Sequence, residues 1–295
     1  EHGLAPLAGA TWDAVVDVSR QPGQVRRAVR DLDTAHWVFV STGNVYARFA
    51  AIEQPEDSPR REPLTGDVMA DMETYGEAKV ACEDAVTASA ATATIIRSGL
   101  IGGPGDVSGR TGYWPWRFAH PVAAAAVGPA EVGPGAVGPD VPVPEVLVPD
   151  DLDFPCALID VRDLAAWLVT AAEQRLGGPF NATGPTIPLG AVLATAADVA
   201  GSSARLRPVP AERLRTLGVQ SWMGPASLPL WIDDPTWRGF ATMDTQRARA
   251  HGLATRPFEE TLRDALTYEE VRVEPRRAGL TDAEEKRVLD ALRGA

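Results

Sequence analysis

Short apolar runs alternate along the chain with apolar positions at helical spacing. The stretch from Trp12 to Val18 reads as a strand, and its core Ala14, Val15 and Val16 suits a parallel sheet covered on both faces. Pro22 and Gly23 mark a turn, and Gln24 to Leu32 follow as a helix with Val25, Ala28, Val29 and Leu32 on one side. His36 to Ser41 is the next strand, whose apolar run Trp37 to Val40 breaks into a hydroxyl-rich loop from Ser41 to Tyr46. A polar, proline-containing stretch from Arg48 to Met72 reads as a surface loop. A helix from Tyr75 to Ala90 and a strand from Ala93 to Arg97 come next. Strand and helix in alternation predict a doubly wound parallel α/β sheet.

The second half is less regular. From residue 121 to 151 the chain is Ala, Gly, Pro and Val with little else, and Val-Gly-Pro units recur at Val127, Val132 and Val137. That composition offers few groups to pack, so an insertion loop is expected, either a lid over a site or a segment without order of its own. Asp163 to Arg175 reads as a helix, and Gly178 to Gly184 as a strand and turn. Leu189 to Ala200 reads as a helix closed by Gly201, and Thr281 with Glu284 forms a capping box for a last helix. The expected blocks are a Rossmann-like region over 1–120, the insertion over 121–151, and the last sheet elements with a C-terminal substrate lobe over 152–295.

Chemistry collects where the second strand ends and the second helix begins. Tyr75 and Lys79 lie four residues apart on one helical face. Moving a hydride to or from an alcohol carbon requires a proton to move at the oxygen, and a tyrosine beside an ammonium can carry it. With Thr42 at the strand end the set has a second hydroxyl for the same oxygen. The alternative for an isolated pair is a surface tyrosine and a solvated lysine.

At these residues the chain resembles the extended short-chain dehydrogenase/reductase superfamily, in particular the NAD-dependent epimerase/dehydratase family and its atypical relatives. The strand end from Phe39 to Tyr46, the Tyr75–Lys79 pair, the segment Arg97 to Asp106 and the segment Leu158 to Ala165 resemble four of its motifs in order, although Ser98 stands where a proline is usual. The resemblance implies a Rossmann-like fold and NAD or NADP as cofactor. It implies Tyr75 as general acid/base, Thr42 as its hydroxyl partner, and Lys79 as the group that lowers the pKa of Tyr75 and binds the nicotinamide ribose. Asp17, Val18, Ser19, Ser41, Ser98, Gly99, Leu100 and Ile101 fall where the family meets the cofactor. Arg110, Tyr113 and Trp114 are candidates for the substrate pocket, with surface charge and core packing as their alternatives; Arg97 and Arg117 are further candidates to balance an anion. The expected activity is that of an oxidoreductase or epimerase acting on a small or sugar-like alcohol or ketone. The other classes open at this point are a binding protein of the same fold, as in RNA-binding atypical relatives, and an inactive remnant.

Composition narrows this. The 295 residues carry a net charge of -12 and 45% hydrophobic side chains, enough for a large core and unsuited to a phosphate backbone, so no nucleic-acid partner is expected. Cys82 and Cys156 lack metal-ligand spacing and read as buried thiols in a reducing compartment, hence a cytoplasmic protein; the four histidines show no ligand pattern. No apolar stretch suits a membrane span. Ala78, Cys82, Ala85 and Val86 form a small-residue stripe that either meets a second copy in a homodimer or packs on its own sheet.

The family's Gly-x-x-Gly-x-x-Gly loop, which follows the first strand and holds the pyrophosphate, does not occur before Asp17. The chain therefore reads as one that starts after the third strand of such a sheet. Calorimetric titration of these 295 residues with NAD and NADP is expected to show only weak binding, and micromolar affinity would mean that another segment supplies the phosphate site.

Overall fold

Seven consecutive buried residues, His36–Thr42, form the strand on which the first part of the protein is built. The structure, a computed structural model, describes residues 3–7, 9–122 and 143–294. In chain order its longer elements are β1 (Val15–Asp17), α1 (Pro22–Asp31), β2 (His36–Thr42), α2 (Tyr75–Thr87), β3 (Thr92–Ser98), α3 (Arg110–Ala119), β4 (Glu145–Pro149), α4 (Val161–Glu173), β5 (Gly178–Ala182), α5 (Leu189–Ala200), β6 (Arg205–Val209), α6 (Phe258–Glu270) and α7 (Asp282–Arg293). They divide between two compact units, each drawn from three separate segments. One comprises Glu1–Ile101, Ala157–Thr186 and Asp234–Arg256; the other comprises Gly102–Cys156, Ile187–Asp233 and Pro257–Ala295. The units interleave along the chain, unlike the successive blocks that composition suggests.

The first unit is a parallel sheet of order β5-β3-β2-β1. Successive side chains of a strand point to opposite faces, and both faces here are covered. Trp37 and Phe39 of β2, with Ile95 of β3, pack with Val25 of α1 and with Cys82 and Val86 of α2. Val38 and Ile96 point the other way, to Leu164, Trp167 and Ala171 of α4 and Phe180 of β5. The apolar run in the sequence thus has no polar alternation because neither face meets water. The stripe on α2 is accounted for by this packing: Cys82 and Val86 are completely buried against the protein's own sheet. Helix α1 opens with Pro22 in its first turn, where a missing N–H costs no helical bond.

In the second unit β4 and β6 pair in parallel, Glu145 opposite Arg205 through Pro149 opposite Val209. Helices α3, α5, α6 and α7 belong to this unit, whose buried side chains include Tyr113, Trp114, Val146, Leu147, Leu193, Leu262 and Leu289. Gly201 ends α5 at φ 60°, and Thr281 with Glu284 forms the expected capping box on α7. Most of the Val-Gly-Pro stretch, 123–142, lies outside the described residues. Its last part is a strand rather than a loop: Val146, Leu147 and Val148 of β4 are fully buried, and the Leu147 amide donates to Glu285 Oε1 at 2.9 Å. A parallel partner some sixty residues further on gives this short valine-rich run its order.

The strand expected from Trp12 to Val18 divides in two. Thr11 and Trp12 pair with Asp33 and Thr34, and only Val15–Asp17 joins the main sheet. Among the described residues β1 is the edge of that sheet, with Val16 48% and Val18 71% exposed. An edge strand carrying exposed valine is a template for pairing with another strand. Val16→Lys is expected to reduce self-association in sedimentation velocity, and an unchanged distribution would show that this edge is not used.

Candidate active site

The carboxyl ends of parallel strands are where such sheets collect ligands, and the predicted catalytic residues meet there. Thr42 closes β2 and caps the short turn Gly43–Val45, its Oγ1 accepting the Asn44 amide at 3.2 Å. The Thr42 side chain lies beside Tyr75 and favours its phenolate. Tyr75 is the first residue of α2. The approach of the helix depends on Gly76, because a Cβ there would stand 2.3 Å from the Asn44 carbonyl oxygen. Burial raises the Tyr75 pKa, opposed by the Thr42 side chain and the charge of Arg20, with Cys82 adding to the rise. Tyr75 is therefore a phenol at neutral pH and begins as a proton donor.

Lys79 follows one turn later on the same face. It is 3% exposed. Its Nζ donates to the Ser19 carbonyl at 2.8 Å and the Val40 carbonyl at 2.7 Å, and it lies 4.6 Å from the centroid of the Phe39 ring. Burial pulls its pKa down to about 8, against the charges of Cys82, Asp17 and Glu83. An ammonium has three N–H donors, so one remains after the two carbonyls. The chain uses lysine at only two positions, 79 and 286, among 28 basic residues. At position 79 a compact ammonium is held between two carbonyls, a space the planar fork of arginine does not match.

The neighbouring segments are arranged by the same strand ends. Asp17 Oδ1 accepts the Ser19 amide at 2.7 Å, a turn that presents the Ser19 carbonyl to Lys79, while Val18 points to solvent. Ser98 Oγ donates to the Ser41 carbonyl at 3.1 Å. Gly99 donates its amide to Ala182, and a Cβ on it would stand 2.7 Å from Thr183 Oγ1, so only glycine fits. Leu100 and Ile101 continue in a short strand beside Leu158–Asp160. Beneath these residues lies a buried pair that the sequence reading did not identify. Glu83 accepts from Ser41 Oγ at 2.6 Å and from Arg97 at 3.1 and 2.9 Å, and Arg60 reaches it at 3.0 Å. Arg97 also donates to the Glu56 carbonyl and to Tyr46 Oη, which in turn donates to Asn181 Oδ1 of β5. The signal for Glu83 was its position four residues after Lys79.

The candidate substrate residues belong to the second unit and differ among themselves. Tyr113 and Trp114 are 0% exposed, and Trp114 Nε1 donates to the Pro229 carbonyl. They are core side chains here. Arg97 is committed to Glu83, and Arg117 is ion-paired with Glu285 and Asp282. Among the described residues no carboxylate is in ion-pair contact with Arg110; its Nε donates to Ser108 Oγ at 3.1 Å and its guanidinium lies 4.9 Å from the Trp222 ring centroid. Burial works against its charge, only partly offset by Asp106. Cys82 and Cys156 are buried free thiols, and among the described residues no cluster of His, Cys, Asp or Glu could hold a metal and no helix is long and apolar enough to cross a membrane.

The nicotinamide-ribose end of a dinucleotide fits this donor set: the remaining Lys79 proton, the Tyr75 and Thr42 hydroxyls, and the backbone from Ser98 to Ile101 converge at the strand ends. The sequence profile of the NAD dependent epimerase/dehydratase family matches residues 18–182. No curated protein matches by sequence. Solved structures share the fold at low identity. The UDP-N-acetylglucosamine 4-epimerase of Bacillus cereus is 13% identical, with a TM-score of 0.56 over 90% of this chain and 80% of that one. WbmG of Bordetella bronchiseptica, solved with NAD and UDP, is 18% identical, with a TM-score of 0.53 over 84% of this chain and 64% of its own length. The NAD complex of Thermus thermophilus UDP-glucose 4-epimerase is 16% identical, with a TM-score of 0.50 over 88% and 78%.

The depressed Lys79 pKa has a sign in stability. The unfolded chain holds this proton up to the ordinary lysine value of 10.5, the folded chain only to about 8. Between those values unfolding takes up a proton, so the contribution of Lys79 to stability increases as pH rises and is least favourable below pH 8. Cys82 and Cys156, pushed up to about 12 by burial, act in the opposite sense above pH 9. Lys79→Met should therefore remove a rise visible in the wild-type-minus-variant difference from denaturant unfolding between pH 8 and 10. A flat difference would mean that Lys79 titrates normally.

Proposed function

From the premise that the chain belongs to the NAD dependent epimerase/dehydratase family, we propose that it transfers a proton, together with NAD- or NADP-dependent redox chemistry, at one hydroxyl-bearing carbon of a sugar nucleotide. The observation that carries this reading is the junction of Thr42, Tyr75 and Lys79 at one strand end, with Tyr75 beside Thr42 and Lys79 bonded to the Val40 carbonyl. Both hydroxyls address the same substrate oxygen. Thr42 holds it by a hydrogen bond, and Tyr75 gives its proton to a carbonyl oxygen or, as phenolate, takes one from a hydroxyl. Lys79 places an ammonium one helical turn from Tyr75 and offers its remaining donor to the ribose of the cofactor. When bound, the nicotinamide supplies the hydride acceptor and donor at the substrate carbon. The positive charge then present favours the phenolate, so the phenol that burial maintains in its absence becomes a base when oxidised cofactor is bound.

Sugar nucleotides are favoured over other alcohols because the structurally similar epimerases act on UDP-sugars, as their names state. The -12 net charge fits a small-molecule substrate rather than a nucleic acid, and the two free thiols fit a cytoplasmic location. The test is steady-state turnover on a panel of UDP-hexoses with saturating NAD or NADP. Tyr75→Phe is expected to lower kcat by about a hundredfold with dinucleotide affinity nearly unchanged. Undiminished turnover in the variant would remove Tyr75 from the chemistry.

A further inference from the structure

The face of α2 that carries Tyr75 and Lys79 continues one turn further to Glu83, and its three residues engage three successive positions at the end of β2. Tyr75 stands beside Thr42, while Lys79 is bonded to the Val40 carbonyl and Glu83 to Ser41 Oγ. We infer that Glu83 is a positioning residue for the proton-transfer pair: bonded to Ser41 and Arg97, it fixes the register of α2 against β2 while Tyr75 and Lys79 are engaged with substrate and cofactor. The inference rests on the function proposed above and assigns a role within that site.

The argument begins with which contacts can set a register. Apolar packing of Cys82 and Val86 on Trp37, Phe39 and Ile95 holds the helix to the sheet but is non-directional. Directional bonds from this face are few, and those of Tyr75 and Lys79 are made by the reacting groups themselves. When Thr42 and Tyr75 turn to a substrate oxygen they cannot also hold the helix to the strand. When Lys79 takes a ribose hydroxyl its hold on the carbonyls is shared. Glu83 has no such alternative partner. It is 2% exposed, and both its oxygens are occupied by protein donors from β2, β3 and the loop residue Arg60. Through Arg97 the linkage extends to Glu56, Tyr46 and Asn181, so the helix is tied to the carboxyl ends of β2, β3 and β5.

Energetics points the same way. A buried carboxylate–guanidinium pair seldom stabilises more than apolar side chains of similar volume would, because desolvation offsets the attraction. What such a pair supplies is directionality. Catalysis is sensitive to it, since a shift of about 1 Å in a reacting group can cost about a hundredfold in rate.

Two variants and two readouts test this. Glu83→Gln keeps the shape and can still accept from Ser41 and Arg97; Glu83→Ala removes the link. With UDP-hexose and saturating dinucleotide, Glu83→Ala is expected to lower kcat about tenfold or more with KM little changed, and Glu83→Gln to restore most of it. The second readout needs no substrate. The protein has four tyrosines, so 13C-labelled tyrosine NMR, assigned with Tyr75→Phe, follows the Tyr75 titration. The groups that bear on it are Thr42, Arg20 and Cys82, with Lys79 on the same helix face. Removing the negative charge of Glu83 would by itself favour the phenolate and move the titration down. Loss of the Thr42 contact, which favours the phenolate, moves it up, and the upward shift is expected in Glu83→Ala. A titration that stays or falls, in a variant that still melts cooperatively, overturns the inference. If Glu83→Ala does not fold, the same titration on Ser41→Ala, which removes the bond of Glu83 to β2 and keeps its charge, decides: an upward shift supports the role, and none or a fall rejects it. Absence of turnover in the parent protein would count against the proposed function alone, since the titration does not depend on it.

Discussion

Parallel pairing of β2 with β1 on one side and β3 on the other is the constraint from which the first unit follows. A parallel sheet needs cover on both faces, and His36–Thr42 meets that need with side chains that are large on both sides. Trp37 and Phe39 demand a layer of small or slender partners, which α1 and α2 supply; Val38 and Ile96 accept the bulk of Trp167 and Phe180 from the opposite face. Once these layers are in place the strand must end where the helices begin. Its last residues, Ser41 and Thr42, then come under the first three turns of α2. The candidate site is a by-product of that layering, refined by polar bonds.

Charge is handled differently at the two levels. On the surface the protein is acidic, and its arginines are mostly exposed or in partly solvated pairs such as Arg61–Glu77, each worth little. In the interior the charged groups are few and fully engaged. Arg97 with Glu83, and Arg117 with Glu285, are almost inaccessible to solvent. Burial pushes the Glu285 pKa up even against the adjacent guanidinium. Removing Glu83 would leave Arg97, and removing Arg117 would leave Glu285, buried without its ion-pair partner, a far larger penalty than the pair gains by existing, whereas Arg60 still reaches Glu83 and Asp282 still reaches Arg117. These interior pairs should therefore respond to substitution as units.

Much of the first unit was legible in the sequence because its signals are local. The apolar run of β2, the helical spacing in α1, and the four-residue interval from Tyr75 to Lys79 each depend on a few adjacent residues. The capping box at Thr281 and the glycine at the end of α5 are of the same kind. What was not legible depends on partners distant in the chain. Glu145–Pro149 looks like more of the Val-Pro stretch before it, and only its pairing with Arg205–Val209 makes it a strand. Arg97 read as a candidate for a substrate anion because its counter-charge, Glu83, stands on another element; Tyr113 and Trp114 read as pocket walls because aromatic residues beside a glycine-rich loop carry no mark of which way they face. The division into interleaved units was hidden for a related reason, since the chain crosses from one to the other several times without a linker of distinctive composition.

The scarcity of lysine gives the protein an uncommon chemical simplicity. Of its two side-chain amines, that of Lys286 lies on the surface of α7 beside Asp290, half exposed, and that of Lys79 is enclosed. Acylating reagents applied to the folded protein would reach the first lysine and pass over the second, while any opening of the sheet's carboxyl edge would admit reagent to the Lys79 amine and return it to the ordinary lysine range. The ratio of modification at the two positions is thus a built-in gauge of how often the active-site helix parts from its strand, readable by mass spectrometry without a substrate, a cofactor or an added probe.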